Sequence, residues 1–130
     1  GSEMCIRDRS NNHQTQNGVL FMDKQFIIVL VTVPNQETGE LIANTLLEKK
    51  LVACVNIVTP VVSFFSWQGE VDREDEVLLI LKSRVDLFES QLIPAVESIH
   101  PYEVPEIIAL PIMMGSENYL NWIDEVTLEE

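Results

Sequence analysis

Hydrophobic positions along the chain change period several times, and each change marks an element. Residues 26–33, Phe-Ile-Ile-Val-Leu-Val-Thr-Val, are apolar and β-branched at both parities, which predicts a strand buried on both faces. Pro34-Asn35 ends it, and Asn35 can cap a helix. Leu41, Ile42, Thr45 and Leu46 then recur at helical spacing through Lys50. Ala53 to Val58 reads as a second strand, and Pro60 interrupts what would otherwise run on to Trp67. A proline there implies an edge strand, a bulge or a break. Gln68-Gly69 is a turn and Glu70 to Lys82 the returning third strand, so this stretch is a long, kinked hairpin.

The second half repeats the alternation of helix and strand. Val85, Phe88, Leu92, Ala95, Val96 and Ile99 predict an amphipathic helix, with Pro94 inside the pattern to bend it. Pro101 and Pro105 bracket a stiff loop, and Ile107 to Met113 is a fourth strand that Pro111 confines to an edge or ends early. Ser116 caps a last short helix carrying Tyr119, Leu120, Trp122 and Ile123. The predicted class is therefore α+β: a ferredoxin-like βαββαβ antiparallel sheet of four strands with a short C-terminal helix.

That fold puts both long helices on one face of the sheet, so its strands ought to alternate. They do not: residues 27–30, 77–81 and 107–110 are apolar at both parities. Three strands with about three outward apolar residues each, at very roughly 100 Å² apiece, would expose ~900 Å², worth on the order of 20 kcal/mol as an upper bound if covered. A soluble monomer tolerates less. The expectation is a tight homo-oligomer whose sheets pack together, the kinked hairpin offering a free edge for pairing between subunits. The alternative is a sheet covered by its own tail.

Residues 1–24 stand apart. Their Gly-Ser start resembles a tag scar, residues 10–18 are polar and aperiodic, and Met22 could be a natural start. They read as a disordered tail or vector-derived leader, leaving 25–130 as one domain. Of 21 acidic and 8 basic residues, 18 and 5 lie in residues 25–130, so the whole net charge of −13 belongs to the domain. Such a surface repels phosphate backbones and anionic membranes, which argues against nucleic acid and membrane as partners. No apolar run approaches the ~18 residues of a spanning helix. No apolar leader is evident and the two cysteines make no disulfide framework, so the chain reads as cytoplasmic.

Catalytic constellations are missing. The 130 residues hold no glycine-rich phosphate loop, no Gly-x-Ser-x-Gly, no Cys-x-x-Cys and no His-x-x-x-His, and a non-enzymatic role is the expectation. Outside the tail only Arg73 and Arg84 could serve an arginine cradle, and neither sits in a glycine-rich loop. The dense segment is His100-Pro101-Tyr102-Glu103-Val104-Pro105-Glu106, whose prolines present His, Tyr and Glu together. Imidazole suits transition metals and carboxylates can add to such a site; a rigid loop with structural hydrogen bonds is the blander reading. Cys54 is either a soft Cu(I) ligand or a small buried hydrophobe. Trp67, Tyr119 and Trp122 read as interface packing. The sharper reading is an intersubunit cleft lined by Trp67, His100, Tyr102, Glu106 and Trp122, with Lys82 at the end of the third strand pairing a carboxylate.

At these residues the chain resembles the CutA family, the divalent-cation tolerance proteins. The matching runs are 51–56 (Leu-Val-Ala-Cys-Val-Asn), 63–69 (Ser-Phe-Phe-Ser-Trp-Gln-Gly), 76–82 (Glu-Val-Leu-Leu-Ile-Leu-Lys), 100–106 (His-Pro-Tyr-Glu-Val-Pro-Glu) and 119–123 (Tyr-Leu-Asn-Trp-Ile). The resemblance implies a homotrimer similar in architecture to the PII signalling proteins, acting in tolerance of divalent metals, copper especially, and not as an enzyme. It also implies a copper site made of a cysteine late in the first strand and histidine at the His-Pro-Tyr loop. Here those positions hold Val31 and, before His100, Ile99. His100 alone is left of that set, so weak binding of copper or another divalent cation is the expectation. The alternative is a PII-like regulatory or scaffold trimer that docks a partner protein without metal.

Overall fold

The computed structural model describes residues 25–127 in full, together with the backbone of 13–16 and 19–22. Those two short segments, β1 (His13–Gln16) and β2 (Val19–Met22), pair antiparallel. The reading of 1–24 as a tail otherwise lies outside the described residues. The domain then runs β3 (Phe26–Val33), α1 (Gln36–Glu48), β4 (Cys54–Trp67) and β5 (Glu70–Arg84). It continues through α2 (Val85–Leu87), a π-helical turn (Phe88–Leu92) and α3 (Ile93–Ile99), then β6 (Ile107–Pro111) and α4 (Glu117–Val126). The four long strands form one sheet in the order β4-β5-β3-β6, every neighbouring pair antiparallel. The α+β class and the four-stranded antiparallel sheet are as predicted.

Local chemistry accounts for most boundaries. The Asn35 side chain accepts the Thr38 N–H at 2.8 Å and starts α1. Gly39 lets the helix lie close on the sheet, since a Cβ there would stand 3.1 Å from Leu79 Cδ2. Gln68 and Gly69 both have positive φ, 52° and 84°. They close a two-residue hairpin between Trp67 and Glu70, and that pairing suits the twist of the strands. The Ser116 hydroxyl accepts the Tyr119 N–H at 3.3 Å and starts α4.

Several boundaries differ from expectation. The strand predicted to stop at Val58 continues to Trp67, with a register shift between Val58 and Val61 absorbing Pro60. This is tolerable because β4 is an edge strand. The third strand runs on to Arg84 because β3 pairs with it as far as Phe26. The fourth ends at Pro111, short of Met113, and lies at the sheet edge, as that proline implied. The long helix takes a π turn immediately before the proline instead of bending smoothly through it; Pro94 has no N–H to return to the turn below, and the hydrogen-bond register shifts there.

The helices cover one face. Val29, Val31, Val33, Leu79 and Leu81 are fully buried there against Ile42, Leu46, Leu92 and Val96. The first strand is thus not buried on both faces: Ile28, Leu30 and Thr32, on the other parity, are half-buried. That open face is organised in rows by the register. Val58, Leu78 and Thr32 form one row; Asn56, Ile80, Leu30 and Ile108 the next; Cys54, Lys82, Ile28 and Leu110 the third. Ile108 and Leu110 are 50% and 45% exposed. At the far end of this face Phe26 packs with Ala53, Leu120 and Ile123, so α4 covers one end only. Arg84, 8% exposed, pins α4 there through Asp124 at 3.3 Å and holds Asp86 at 2.9 Å. Each open residue exposes less than the extended estimate allowed, because neighbours across the ladder shade one another.

Candidate functional site

Beyond Val33 the sheet loses its central strand, and β4 and β5 continue alone as a two-stranded ribbon from Val61–Glu76 to Trp67–Glu70. Strand pleating puts every second side chain on the same side. Glu76, Glu74 and Asp72 therefore share a side with their partners Val61, Ser63 and Phe65. This side continues the open face of the sheet. Opposite it, the loop after α3 folds over the end of β3. Between loop and ribbon lies a cleft of about 860 Å³.

His100 builds the loop side. One ring nitrogen, Nε2, lies 2.8 Å from the Thr32 carbonyl, and the other, Nδ1, accepts the Tyr102 N–H at 3.1 Å. The carbonyl can only accept, so Nε2 carries the proton and donates it. The ring is 8% exposed and packs on the Tyr102 ring, 4.8 Å between centroids. Tyr102 in turn donates its hydroxyl to Glu76 Oε2 at 2.6 Å. Burial of the phenol, then the Glu76 hydrogen bond and charge, and the charge of Glu74 hold the Tyr102 pKa well above its ordinary 10.0. The chain Thr32–His100–Tyr102–Glu76 thus ties first strand, loop and ribbon together.

The walls combine two chemistries. Phe65, Trp67 and Tyr102 supply aromatic surface. Asp72, Glu74, Glu76, Glu103 and Glu106 supply carboxylates, and no Lys, Arg or His is among the lining residues. Arg73 alternates to the other side of the ribbon and pairs there with Asp75 at 3.2 Å.

The residues singled out from sequence divide between the two ends of the sheet. Trp67, Tyr102 and Glu106 line the cleft, with His100 behind Tyr102. Tyr119 and Trp122 touch each other on α4, 5.5 Å between centroids. Lys82 sits on the open face three rows from Glu76, donating to Asn56 Oδ1 at 2.8 Å with Cys54 Sγ at 3.9 Å, and pairs no carboxylate among the described residues. Within one chain α4 and Lys82 belong to the opposite end. Cys54 is a free thiol of intermediate exposure on the open face. Sequence reasoning missed Phe65, Asp72, Glu74 and Glu76. The signal was available: an acidic residue at every second position of a strand marks one side of it.

A family model described as CutA1 divalent ion tolerance protein matches residues 27–126. The chain belongs to the CutA1 family. It is 48% identical over 101 residues to the chloroplastic protein CutA of Arabidopsis thaliana, covering 78% of this chain and 55% of that protein. The chain thus spans about half the length of that CutA relative. It is 47% identical over 100 residues to the divalent-cation tolerance protein CutA of Thermus thermophilus, covering 77% of this chain and 96% of that one. Among solved structures, CutA1 from Oryza sativa superposes with a TM-score of 0.78 at 44% identity, over 82% of this chain and 96% of that chain.

The copper ligand set implied by resemblance to CutA does not fit these residues. Val31 is fully buried in the helix-side core, and Ile99 packs against the same core. Both His100 nitrogens are committed to backbone groups, so no lone pair is free for a metal. Among the described residues no group of three His, Cys, Asp or Glu side chains converges to hold an ion.

Proposed function

We propose that the chain serves divalent-cation tolerance as a homotrimer of PII-like architecture, without catalysis of its own, and that its cleft is a ligand site at the boundary between subunits. The observation that carries this reading is the open sheet face, where Ile28, Leu30, Leu78, Ile80, Ile108 and Leu110 form continuous apolar rows that α4 leaves uncovered. Burying them against another copy removes this surface from water. The sheet also has two unlike free edges, β4 and β6. Pairing one kind of edge with the other is a head-to-tail contact, the kind that builds a ring such as a trimer when its rotation closes, and not a two-fold dimer.

Copper ligation by His100 is not part of this reading, because the ring serves as a strut. Calorimetric titration of copper into the full chain and into His100→Ala tests that clause; a binding isotherm lost only in the variant would restore the histidine as a ligand. Sedimentation equilibrium at micromolar concentration tests the assembly, and a trimer mass is the expected result. A scaffold that docks a partner protein is favoured by one observation. Val71, on the side of the ribbon facing away from the carboxylate row, is 76% exposed.

A further inference from the structure

The cleft offers charge in a row, with no convergence on a point. Asp72, Glu74 and Glu76 follow one another at every second position of one strand side, so their backbone positions are spaced by about 6.7 Å. A divalent metal needs oxygens that converge within ~2.0–2.6 Å of one centre, and no such group occurs among the described residues. A linear cation whose charges are separated by four methylenes comes close to that repeat, and the rotatable carboxylate side chains can close on a three-methylene spacing as well.

Two further features point the same way. Phe65, Trp67 and Tyr102 present aromatic surface beside the carboxylates, which a metal aqua ion does not use but an alkylammonium does, through its methylenes and through attraction of its charge to ring faces. Glu76, 8% exposed, is a nearly buried carboxylate whose one hydrogen bond comes from a neutral phenol. Among the described residues it has no ion-pair partner, and no cationic side chain lines the cleft. A buried carboxylate without a cation is costly unless a counter-charge arrives. The domain's net charge of −13 raises the local concentration of any polycation around it.

We propose that the cleft binds a linear aliphatic polyamine, its ammonium groups along Asp72, Glu74 and Glu76 and its methylenes against Phe65, Trp67 and Tyr102. This rests on the reading of the cleft as a ligand site and names the ligand's class. All the named residues belong to one chain, so binding does not need a residue from a neighbour.

The test is calorimetric titration of spermidine into the full chain at low salt, with magnesium at matched charge as the comparison. Saturable spermidine binding, at least tenfold tighter than magnesium, is expected. Asp72→Asn and Glu74→Gln each weaken it about fivefold, and Trp67→Ala weakens it by a similar factor. These three side chains are exposed, so the variants fold. Absence of spermidine binding overturns the proposal. So does magnesium equalling spermidine, or a Trp67→Ala variant that binds like the parent, because either result means diffuse counter-ions alone. Sedimentation of the same samples separates the two readings. A trimer that ignores spermidine removes the polyamine and leaves the assembly; a single subunit that binds it removes the assembly and leaves the polyamine.

Discussion

Val29, Val31, Leu79 and Leu81 on the helix side of the sheet are wholly buried, while Ile28, Leu30, Leu78 and Ile80 from the same two strands stay half-exposed on the other side. The side chains are of the same kind and alternate along the same backbone. What differs is the cover. Two long helical segments close the first face, whereas the second receives only α4, held at one end by Arg84 and Asp124. A strand that is apolar at both parities therefore asks for two covers, and this chain carries one and a fraction.

Substitutions on the two faces ought to fail differently, and the largest effect belongs to the closed one. Leu79→Ala opens a cavity under α1 and is expected to lower stability by about 3 kcal/mol in urea unfolding. Next comes Ile80→Lys, one residue away on the open face. It places an unpaired charge where a neighbour is proposed to sit, so sedimentation should show dissociation weakened subunit contacts by about a hundredfold in Kd. Its circular dichroism should keep the parent's secondary structure. A stability loss as large as that of Leu79→Ala without dissociation would erase the contrast between the faces.

Smaller effects sharpen the picture at the cleft and the cap. Tyr102→Phe removes a hydrogen bond to a carboxylate and is expected to cost about 1.5 kcal/mol. The phenol's pKa is raised on folding, so the folded state holds this proton more tightly than the unfolded one. Its contribution is complete below the ordinary value of 10.0 and declines as the pH climbs past it. Alkaline unfolding curves should therefore fall more steeply for the parent than for Tyr102→Phe. Asn35→Ala strips the cap from α1 at a cost of about 1 kcal/mol. It acts on the helix-covered face alone, so the assembly constant should not move.

Element order, strand pairing and both helix caps were legible because each is written in local residues: β-branched runs, Asn35, Ser116 and Gln68-Gly69. The missing alternation in residues 27–30 and 77–81 also announced the uncovered face. Tertiary pairing hid the rest. Pro60 announced an edge strand, a bulge or a break without saying which, and only the pairing with β5 shows that a register shift carries the strand on to Trp67; Pro94 likewise marks a helix irregularity without saying that it takes π form. His100 looked like a ligand because imidazole can be one; only the fold brings the Thr32 carbonyl, 68 residues away in sequence, within 2.8 Å of its ring. Trp122 and Trp67 share an aromatic character that sequence cannot separate, and the sheet places them at opposite ends. Glu76, Glu74 and Asp72 were readable as a period-two row, yet their meaning depends on the ribbon standing free of β3.

The proposed assembly depends on whether the open rows of β3, β5 and β6 meet another copy. Sedimentation equilibrium of the full chain at micromolar concentration measures this directly. A single species at three times the 14.8 kDa chain mass is the predicted result. A folded, soluble species of one chain mass across that range would contradict it.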